Sequence, residues 1–310
     1  RIDPWYRFPG LEYRMPLIHE RAFRVRHYEC DAYGHVNHAN YLRYMQEAAL
    51  DASAAAGYDI DWYERHQRQW LIRETAITYL KPLTYGDSVI VKTWVQDFHR
   101  VRSRRAYELR HAEGGAVVAR AFTDWVYMDT AALRPVSVPD EMIGAFFPEG
   151  LPAARSRREP FAAPPDPPPG VFTMSRRVEW HDLDTAQHVN NANYMGYLEE
   201  CSVRVAAAFG WPMARMKAEG FGVVAREYHI EHKQPAVLDD ELTIATWVSD
   251  VRRSTAVRHY TITRAADGAL IVRANMQWVW VDLATGRPVR IPDAFAADFA
   301  PNIVREAGPR

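Results

Sequence analysis

The sequence predicts an α+β chain built from two copies of one module, each an antiparallel sheet wrapped around a central helix. Three observations lead to this prediction: an internal repeat, one apolar helical pattern in each copy, and a series of strand-like runs after each helical pattern. A single helix followed by strands with short connections packs as a helix on an antiparallel sheet. Two such copies in one chain predict an intrachain pseudo-dimer.

The internal repeat covers most of the chain. Residues 24–140 align with residues 177–293 at constant spacing, and roughly a third of the aligned positions are identical. Identical pairs at structurally demanding positions are Gly57 and Gly210, Pro82 and Pro235, Asp87 and Asp240, Trp94 and Trp247, Gly115 and Gly268, and Trp125 and Trp278. The period is far longer than that of solenoid repeats, so each copy is predicted to be a whole domain.

The repeat and the proline content predict three segments. Residues 15–140 form a first module, residues 141–173 a proline-rich linker, and residues 174–300 a second module. Proline fixes φ and removes a backbone donor, so the linker is expected to be extended. Residues 1–14 have no counterpart in the second copy, and the sequence does not decide between an expression remnant and a short arm.

One helix is predicted in each copy from apolar side chains that recur at helical spacing. These side chains are Tyr41, Tyr44, Met45, Ala48, Ala52, Ala55 and Ala56 in the first copy, and Tyr194, Tyr197, Leu198, Cys201, Val205, Ala208 and Phe209 in the second. Gly57 and Gly210 follow where a left-handed C-terminal cap is needed. We therefore expect helices of about eighteen residues, roughly 27 Å long.

Strands are predicted from alternating, β-branched and aromatic runs bounded by proline and glycine. In the first copy these runs are Trp70–Tyr79, Ser88–Phe98, Arg102–His111 and Ala116–Met128. A short apolar-alternating segment opens each copy, at Phe23–Val25 and at Arg177–Glu179.

Net charge, apolar runs and cysteine content limit the kinds of protein that this chain can be. The formal net charge is −1, so no global field attracts nucleic acid or an anionic membrane. No apolar run reaches the ~18 residues of a membrane-spanning helix, and the N-terminus shows no secretory signal. The two cysteines cannot form a disulfide framework, so we expect a reducing, cytoplasmic location.

The segment before each helix carries a family resemblance. The first copy reads HYECDAYGHVNHANYLRYMQEA and resembles acyl-CoA thioesterases of the 4-hydroxybenzoyl-CoA thioesterase superfamily, through Asp31, Gly34, His38, Asn40 and Tyr41. The second copy reads WHDLDTAQHVNNANYMGYLEEC and is similar to acyl-ACP thioesterases, through Asp184, Gln187, His188, Val189, Asn190, Asn191 and Tyr194. The resemblance implies two tandem hotdog modules and a hydrolase that cleaves acyl-CoA or acyl carrier protein thioesters. Paired double hotdogs are common in this superfamily, which leaves a homodimer of two such chains open. No cofactor is expected, because the sequence has no Gly-x-Ser-x-Gly elbow, P-loop or dinucleotide glycine fingerprint.

Residue by residue, the acyl-ACP resemblance places catalytic roles on Asp184, His188 and Glu227, and on the first-copy counterparts Asp31, His35 and Glu74. The family asparagine between the aspartate and the histidine is replaced by Ala186 and Tyr33. A cysteine sometimes considered as the nucleophile is also missing, because Thr75 and Tyr228 follow the glutamates. Acid–base chemistry by a carboxylate is therefore favoured.

These residue types suit thioester hydrolysis. Amides at a helix N-terminus are unpaired and carry partial positive charge, so those near residues 37–41 and 190–194 can polarise a thioester carbonyl. An aspartate can act as general base or nucleophile, and a histidine can orient it or carry a proton. The catalytic candidates are Asp31, His35, His38, Glu74, Asp184, His188 and Glu227. The substrate-binding candidates are Asn37, Asn40, Tyr41, Asn190, Asn191, Tyr194, and Arg102 and Arg104 from a basic run that could meet an anionic carrier.

Other interpretations of the same residues stay open. The aspartates could be helix N-caps, the histidines buried structural rings, the glutamates strand-surface ion pairs, and the arginines a solvated face. Glu29, Asp31, His35 and His38 lack a dense ligand spacing, so no metal is expected. A hotdog hydratase or dehydratase is one alternative function. A non-catalytic acyl-binding module is another, prompted by Ala186 and Tyr33.

Overall fold

The computed structural model describes residues 15–151 and 158–304. Residues 1–14, whose origin the sequence leaves open, lie outside the described residues. The chain divides into two compact units. Unit one consists of residues 1–36, 43–73 and 81–160, and unit two of residues 37–42, 74–80 and 161–310. Unit two therefore includes two short segments of the first sequence repeat.

The first repeat contains six strands and three α-helices. The strands are β1 Ile18–Arg24, β2 Arg68–Tyr79, β3 Ser88–His99, β4 Arg102–His111, β5 Val117–Asp129 and β6 Arg134–Pro135. The helices are α1 His38–Ala55, α2 Ile60–Arg65 and α3 Asp140–Phe146. The strand order is β1-β3-β4-β5-β2, and β6 pairs with β5.

The second repeat has the same order of elements, with β6 reduced to an isolated bridge between Val281 and Pro288. Its strands are β7 Phe172–Arg177, β8 Phe221–His232, β9 Glu241–Ser249, β10 Thr255–Arg264 and β11 Leu270–Asp282. Its helices are α4 Asn191–Ala208, α5 Met213–Ala218 and α6 Asp293–Phe299. The strand order is β8-β11-β10-β9-β7. None of the helices in residues 15–151 and 158–304 is both long and apolar enough to cross a membrane.

Residues 74–78 of β2 belong to unit two and pair there with β8. The pairing is antiparallel, with Glu74 opposite Glu231, Ala76 opposite His229 and Thr78 opposite Glu227. Residues opposite one another across this pairing come from different sequence repeats. A segment of the first repeat thus completes the sheet of unit two.

The two predicted long helices and the four strands predicted after the first of them are confirmed. Both long helices have 18 residues. Gly57 and Gly210 follow them with φ of +91° and +83°, the left-handed conformation expected at a C-terminal cap. The predicted apolar face is buried except in the last turn, where Ala55 and Ala208 are exposed.

The structure corrects the sequence interpretation at the edges of the modules. The opening strands lie earlier than predicted, at Ile18–Arg24 and Phe172–Arg177, because each pairs along its length with β3 or β9. The segment interpreted as an extended linker from residue 141 begins with a helix, α3. This helix forms because Met142 and Phe146 are both buried in an apolar cluster with Phe98. Short helices of six or seven residues carry too little periodicity to be predicted from sequence alone.

Two buried arginines differ in whether a carboxylate pairs with the guanidinium. In unit one, Arg104 forms a bidentate ion pair with Asp124, with Nε and Nη2 at 2.9 and 2.7 Å from the carboxylate oxygens. In unit two, Arg258 has no exposed surface, and its Nη1 donates to Thr246 Oγ1 at 3.1 Å, whereas Nε and Nη2 have no hydrogen-bond partner among the described residues. Burial lowers the pKa of Arg258 to about 10, and its guanidinium stacks 3.9 Å from the Trp278 ring.

Arg258→Met is expected to leave the free energy of unfolding within about 1 kcal/mol of the wild type, or to raise it, because a buried guanidinium without a carboxylate partner is removed from the core. Arg104→Met is expected to lower it by up to about 3–5 kcal/mol, because Asp124 loses its bidentate partner and keeps only the more distant Arg158, at 3.8 Å. Urea unfolding followed by circular dichroism measures both. A larger loss for Arg258→Met than for Arg104→Met would contradict this view of the two sites.

Candidate active site

The two aspartates of the repeated motif shape the turns before the long helices. The Asp31 carboxylate accepts hydrogen bonds from the backbone N–H groups of Tyr33 and His35, at 2.8 and 3.2 Å. The Asp184 carboxylate accepts one from Ala186, at 2.9 Å. Both side chains are half-buried. Each carboxylate thus has a local structural role, and it is a turn role rather than the helix cap considered from sequence.

Asparagines cap the long helices instead. Asn37 Oδ1 accepts from the backbone N–H of Ala39 at 3.0 Å, and Asn190 Oδ1 accepts from Ala192 at 2.9 Å. The expectation that the amides at these helix starts point outward unpaired is therefore wrong for Ala39 and Ala192. It is also wrong for Asn40 and Asn193, whose N–H groups donate to the carbonyl oxygens of Asn37 and Asn190. A side-chain oxygen near a helix start satisfies the first donors of the helix, which explains the asparagine at both positions.

A carboxylate and an imidazole meet in unit two at the first turn of α1. His38 Nδ1 lies 2.5 Å from Glu199 Oε1, and Asn37 Nδ2 donates to Glu199 Oε2 at 2.8 Å. The side chains of His38 and Glu199 are 24% and 18% exposed. Asn37 and His38 are among the predicted site residues, whereas Glu199 is not. Its counterpart in the first repeat is Gln46, so comparing the repeats gave no signal for it.

Tyrosines pack around this imidazole. The His38 ring lies edge-on to Tyr79, with centroids 4.5 Å apart, and 5.7 Å from Tyr228. Tyr41, a predicted substrate-binding residue, is buried against Tyr79 at 5.1 Å. Burial and the Glu199 charge raise the pKa of the Tyr79 and Tyr228 hydroxyls well above the usual value. Both tyrosines stay neutral at physiological pH, so the acid–base chemistry of this cluster falls to the imidazole and the carboxylate.

The two predicted glutamates lie in different environments. Glu74 is buried, and its Oε1 is 2.6 Å from His229 Nε2. Glu227 is exposed on β8, opposite Thr78. Sequence reasoning missed His229 because Ala76 occupies the equivalent position in the first repeat. The pairing of β2 with β8 brings Glu74 and His229 together, and this pairing could not be deduced from either repeat alone.

The remaining predicted residues divide by burial and contact. Asn40 and Tyr194 are buried, and the Tyr194 hydroxyl accepts from the Ala236 backbone at 3.2 Å. His188 and Asn191 are half-buried, and His35 and Arg102 are exposed. Arg104 is engaged by Asp124, so its guanidinium is not free to receive an anionic carrier.

Neither cysteine has the environment of a reactive thiolate nucleophile. Burial raises the pKa of the Cys201 thiol to about 12, so this thiol stays protonated. Cys30 is half-buried, and its Sγ lies 3.9 Å from the Arg26 carbonyl oxygen. In the part of the chain that the structure describes, no three His, Cys, Asp or Glu side chains are grouped to hold a metal ion.

Comparison with known families agrees with this architecture. The profile of the thioesterase-like superfamily matches residues 25–146 and again residues 178–299, more than half of the chain. The chain belongs to the thioesterase-like superfamily. It carries two tandem thioesterase-like domains, as the internal repeat predicted.

Individual relatives extend the comparison. The palmitoyl-acyl carrier protein thioesterase of Arabidopsis thaliana is 26% identical over 273 residues, which are 84% of this chain and 64% of that protein. The long-chain acyl-CoA thioesterase FadM of Escherichia coli is 30% identical over 118 residues, 37% of this chain and 86% of that protein. The chain therefore spans slightly less than two thirds of the length of its plant relative.

A solved structure supports the fold. The crystal structure of a putative oleoyl thioesterase from Lactobacillus plantarum aligns with a TM-score of 0.73 and 18% identity, covering 85% of this chain and 96% of that one. The predicted tandem hotdog fold of this superfamily member is confirmed.

One half-buried histidine of unit two has both of its ring nitrogens shielded from solvent. Both ring nitrogens of His232 are buried without a hydrogen-bond partner in the described residues. Burial lowers the pKa of His232 to about 4, and the Glu231 carboxylate opposes this effect. The imidazole is therefore neutral in the folded chain.

His232 is expected to make stability depend on pH. Its pKa is lower in the folded than in the unfolded chain, so the unfolded chain binds more protons between pH 6.5 and about 4. Burial of the neutral ring therefore costs no stability above pH 6.5. The free energy of unfolding falls as the pH is lowered from 6.5 to about 4, by up to about 1.4 kcal/mol per pH unit. His232→Phe should reduce this pH dependence, measured by urea unfolding. His181→Phe, at a position with 70% side-chain exposure, is the control. Equal slopes in wild type and His232→Phe would refute the assignment.

Proposed function

We propose that this protein hydrolyses acyl thioesters, releasing a free carboxylic acid and a thiol. One observation carries the proposal: both thioesterase-like repeats place an aspartate in a tight turn seven residues before a long helix, at 31 before 38 and at 184 before 191. The names of the relatives support it, because those compared above are thioesterases of acyl carrier protein or of acyl-CoA.

The proposed chemistry uses the aspartate and the start of the helix. Asp31 or Asp184 acts as general base or as nucleophile on the thioester carbonyl. The positive end of the helix dipole stabilises the oxyanion that develops. Loss of one oxyanion donor typically costs about 2.7–4 kcal/mol in the barrier, so this contribution is large. His35 and His188, in the same turns, orient the carboxylate or carry a proton.

The carrier and the cellular location are finer proposals. The substrate is an acyl-CoA or an acyl carrier protein thioester, both of which are anionic. Arg102 is the candidate contact, because it is exposed whereas Arg104 is paired with Asp124. Cytoplasmic location stays a prediction from the cysteine content, and the plant relative is chloroplastic.

Asp31→Asn and Asp184→Asn test the carboxylates without disturbing the turns, because an amide oxygen still accepts the backbone hydrogen bonds. We expect the double variant to lower thiol release by about 10²–10⁴-fold. A chromogenic thiol reagent measures the rate on acyl-CoA and acyl carrier protein esters of several chain lengths. Asp59→Asn is the matched control, since Asp59 also accepts a backbone hydrogen bond, from Trp62 at 2.8 Å in α2.

Three outcomes would reject the proposal in different ways. Full activity in the double variant would show that the aspartates serve only the turns. Tight binding of acyl carriers with no thiol release would indicate a binding module. Hydration of an enoyl thioester without thiol release would indicate a hydratase.

A further inference from the structure

We infer that Glu199 is a positioning residue that makes His38 a general base for thioester hydrolysis. The inference rests on the proposed function. It assigns a role to the contact between the partly exposed imidazole of His38, at the start of α1, and the carboxylate of Glu199 on α4.

The carboxylate is held at both of its oxygens. Glu199 Oε1 lies 2.5 Å from His38 Nδ1, and Oε2 accepts from Asn37 Nδ2 at 2.8 Å. Asn37 is itself fixed, because its Oδ1 caps the Ala39 amide. Asn37, Glu199 and His38 are therefore each oriented by a hydrogen bond. Residues that transfer protons need such fixed orientations.

The hydrogen bond at Nδ1 determines which nitrogen is available. An ionised carboxylate only accepts hydrogen bonds, so Nδ1 carries the proton and Nε2 keeps its lone pair in the neutral ring. The ring packs against Tyr79 and Tyr228 and retains 24% side-chain exposure. It is thus fixed in orientation and still partly accessible. The charged or titratable groups that face it are Glu199, Tyr79 and Tyr228, and burial keeps the two tyrosines neutral.

Neither member of the pair is repeated. The counterpart of His38 in the second repeat is Asn191, and the counterpart of Glu199 in the first repeat is Gln46. The imidazole therefore comes from one repeat and the carboxylate from the other. Glu74 and His229 also pair across the repeats, but on strands β2 and β8 rather than at the start of a long helix. If the two positions had changed independently of one another, a carboxylate would not be expected to lie against an imidazole.

The reaction step balances without a further reagent. His38 Nε2 removes a proton from a water molecule while the water oxygen bonds to the thioester carbonyl carbon. The tetrahedral intermediate then collapses, the carbon–sulfur bond breaks, and the Nε2 proton passes to the leaving sulfur. The products are a carboxylic acid and a thiol, and the ring returns to its neutral form. Glu199 accepts the Nδ1 hydrogen bond throughout and stabilises the transient imidazolium.

Steady-state kinetics on full-length variants test this role. We expect His38→Ala to lower kcat by about 10²–10⁴-fold and Glu199→Gln to lower it by about tenfold or more, with little change in KM. The double variant should be no slower than His38→Ala, because the two residues act as a unit. Glu200→Gln is the matched control, since Glu200 lies on the same helix but pairs at the surface with Arg204.

Two measurements separate chemistry from folding. Free imidazole added to His38→Ala should restore part of the rate, which a purely structural role for the ring would not allow. His38→Asn, which places the second-repeat residue at this position, should fold with an unchanged circular dichroism spectrum and still show the loss in kcat.

The outcomes distinguish this inference from the proposed function. Undiminished kcat in His38→Ala, or losses for His38→Ala and Glu199→Gln that multiply in the double variant, would overturn the pair while leaving hydrolysis by the aspartates intact. Absence of thiol release from every ester in the wild type would reject both.

Discussion

The candidate site depends on the antiparallel pairing of residues 74–78 with residues 227–231. This pairing draws a segment of the first repeat into unit two. Side chains alternate between the two faces of a strand, so a slip of one residue would send each of them to the opposite face. The observed register sets Glu74 diagonally across from His229 at 2.6 Å and Tyr228 opposite Ile77, on the side where it packs near His38. Backbone hydrogen bonds between two repeats thus determine which side chains meet.

Much of the fold could be predicted from the sequence because it follows from local patterns repeated twice. The long helices and their glycine caps come from apolar spacing and from the need for positive φ at Gly57 and Gly210. Strand limits followed from alternation bounded by proline and glycine. Helix α3 could not be predicted, because its seven residues gain their stability from burial of Met142 and Phe146 rather than from a periodic pattern.

Only part of the candidate site could be predicted from the sequence, because the prediction relied on the repeat. Repetition directed attention to residues retained in both copies, and it selected Asp31, Asp184, Asn37 and Asn190 as candidates. The structure gives all four a local role in a turn or a cap, which is itself a sufficient reason for them to occur twice. Glu199 and His229 were missed because they occur once. Their partners, His38 and Glu74, are distant in sequence and meet them only through tertiary structure.

The contact of His38 with Glu199 also bears on what a fused chain can do that a symmetric dimer cannot. In a two-fold dimer of identical subunits every position occurs twice, so a substitution that improves one half-site is imposed on the other. Covalent fusion removes this constraint. The start of α1 can then keep the imidazole of His38 while α4 supplies the carboxylate of Glu199. The equivalent positions, Asn191 and Gln46, can change independently of this pair. Duplication followed by such division of labour turns two equal half-sites into a single asymmetric one.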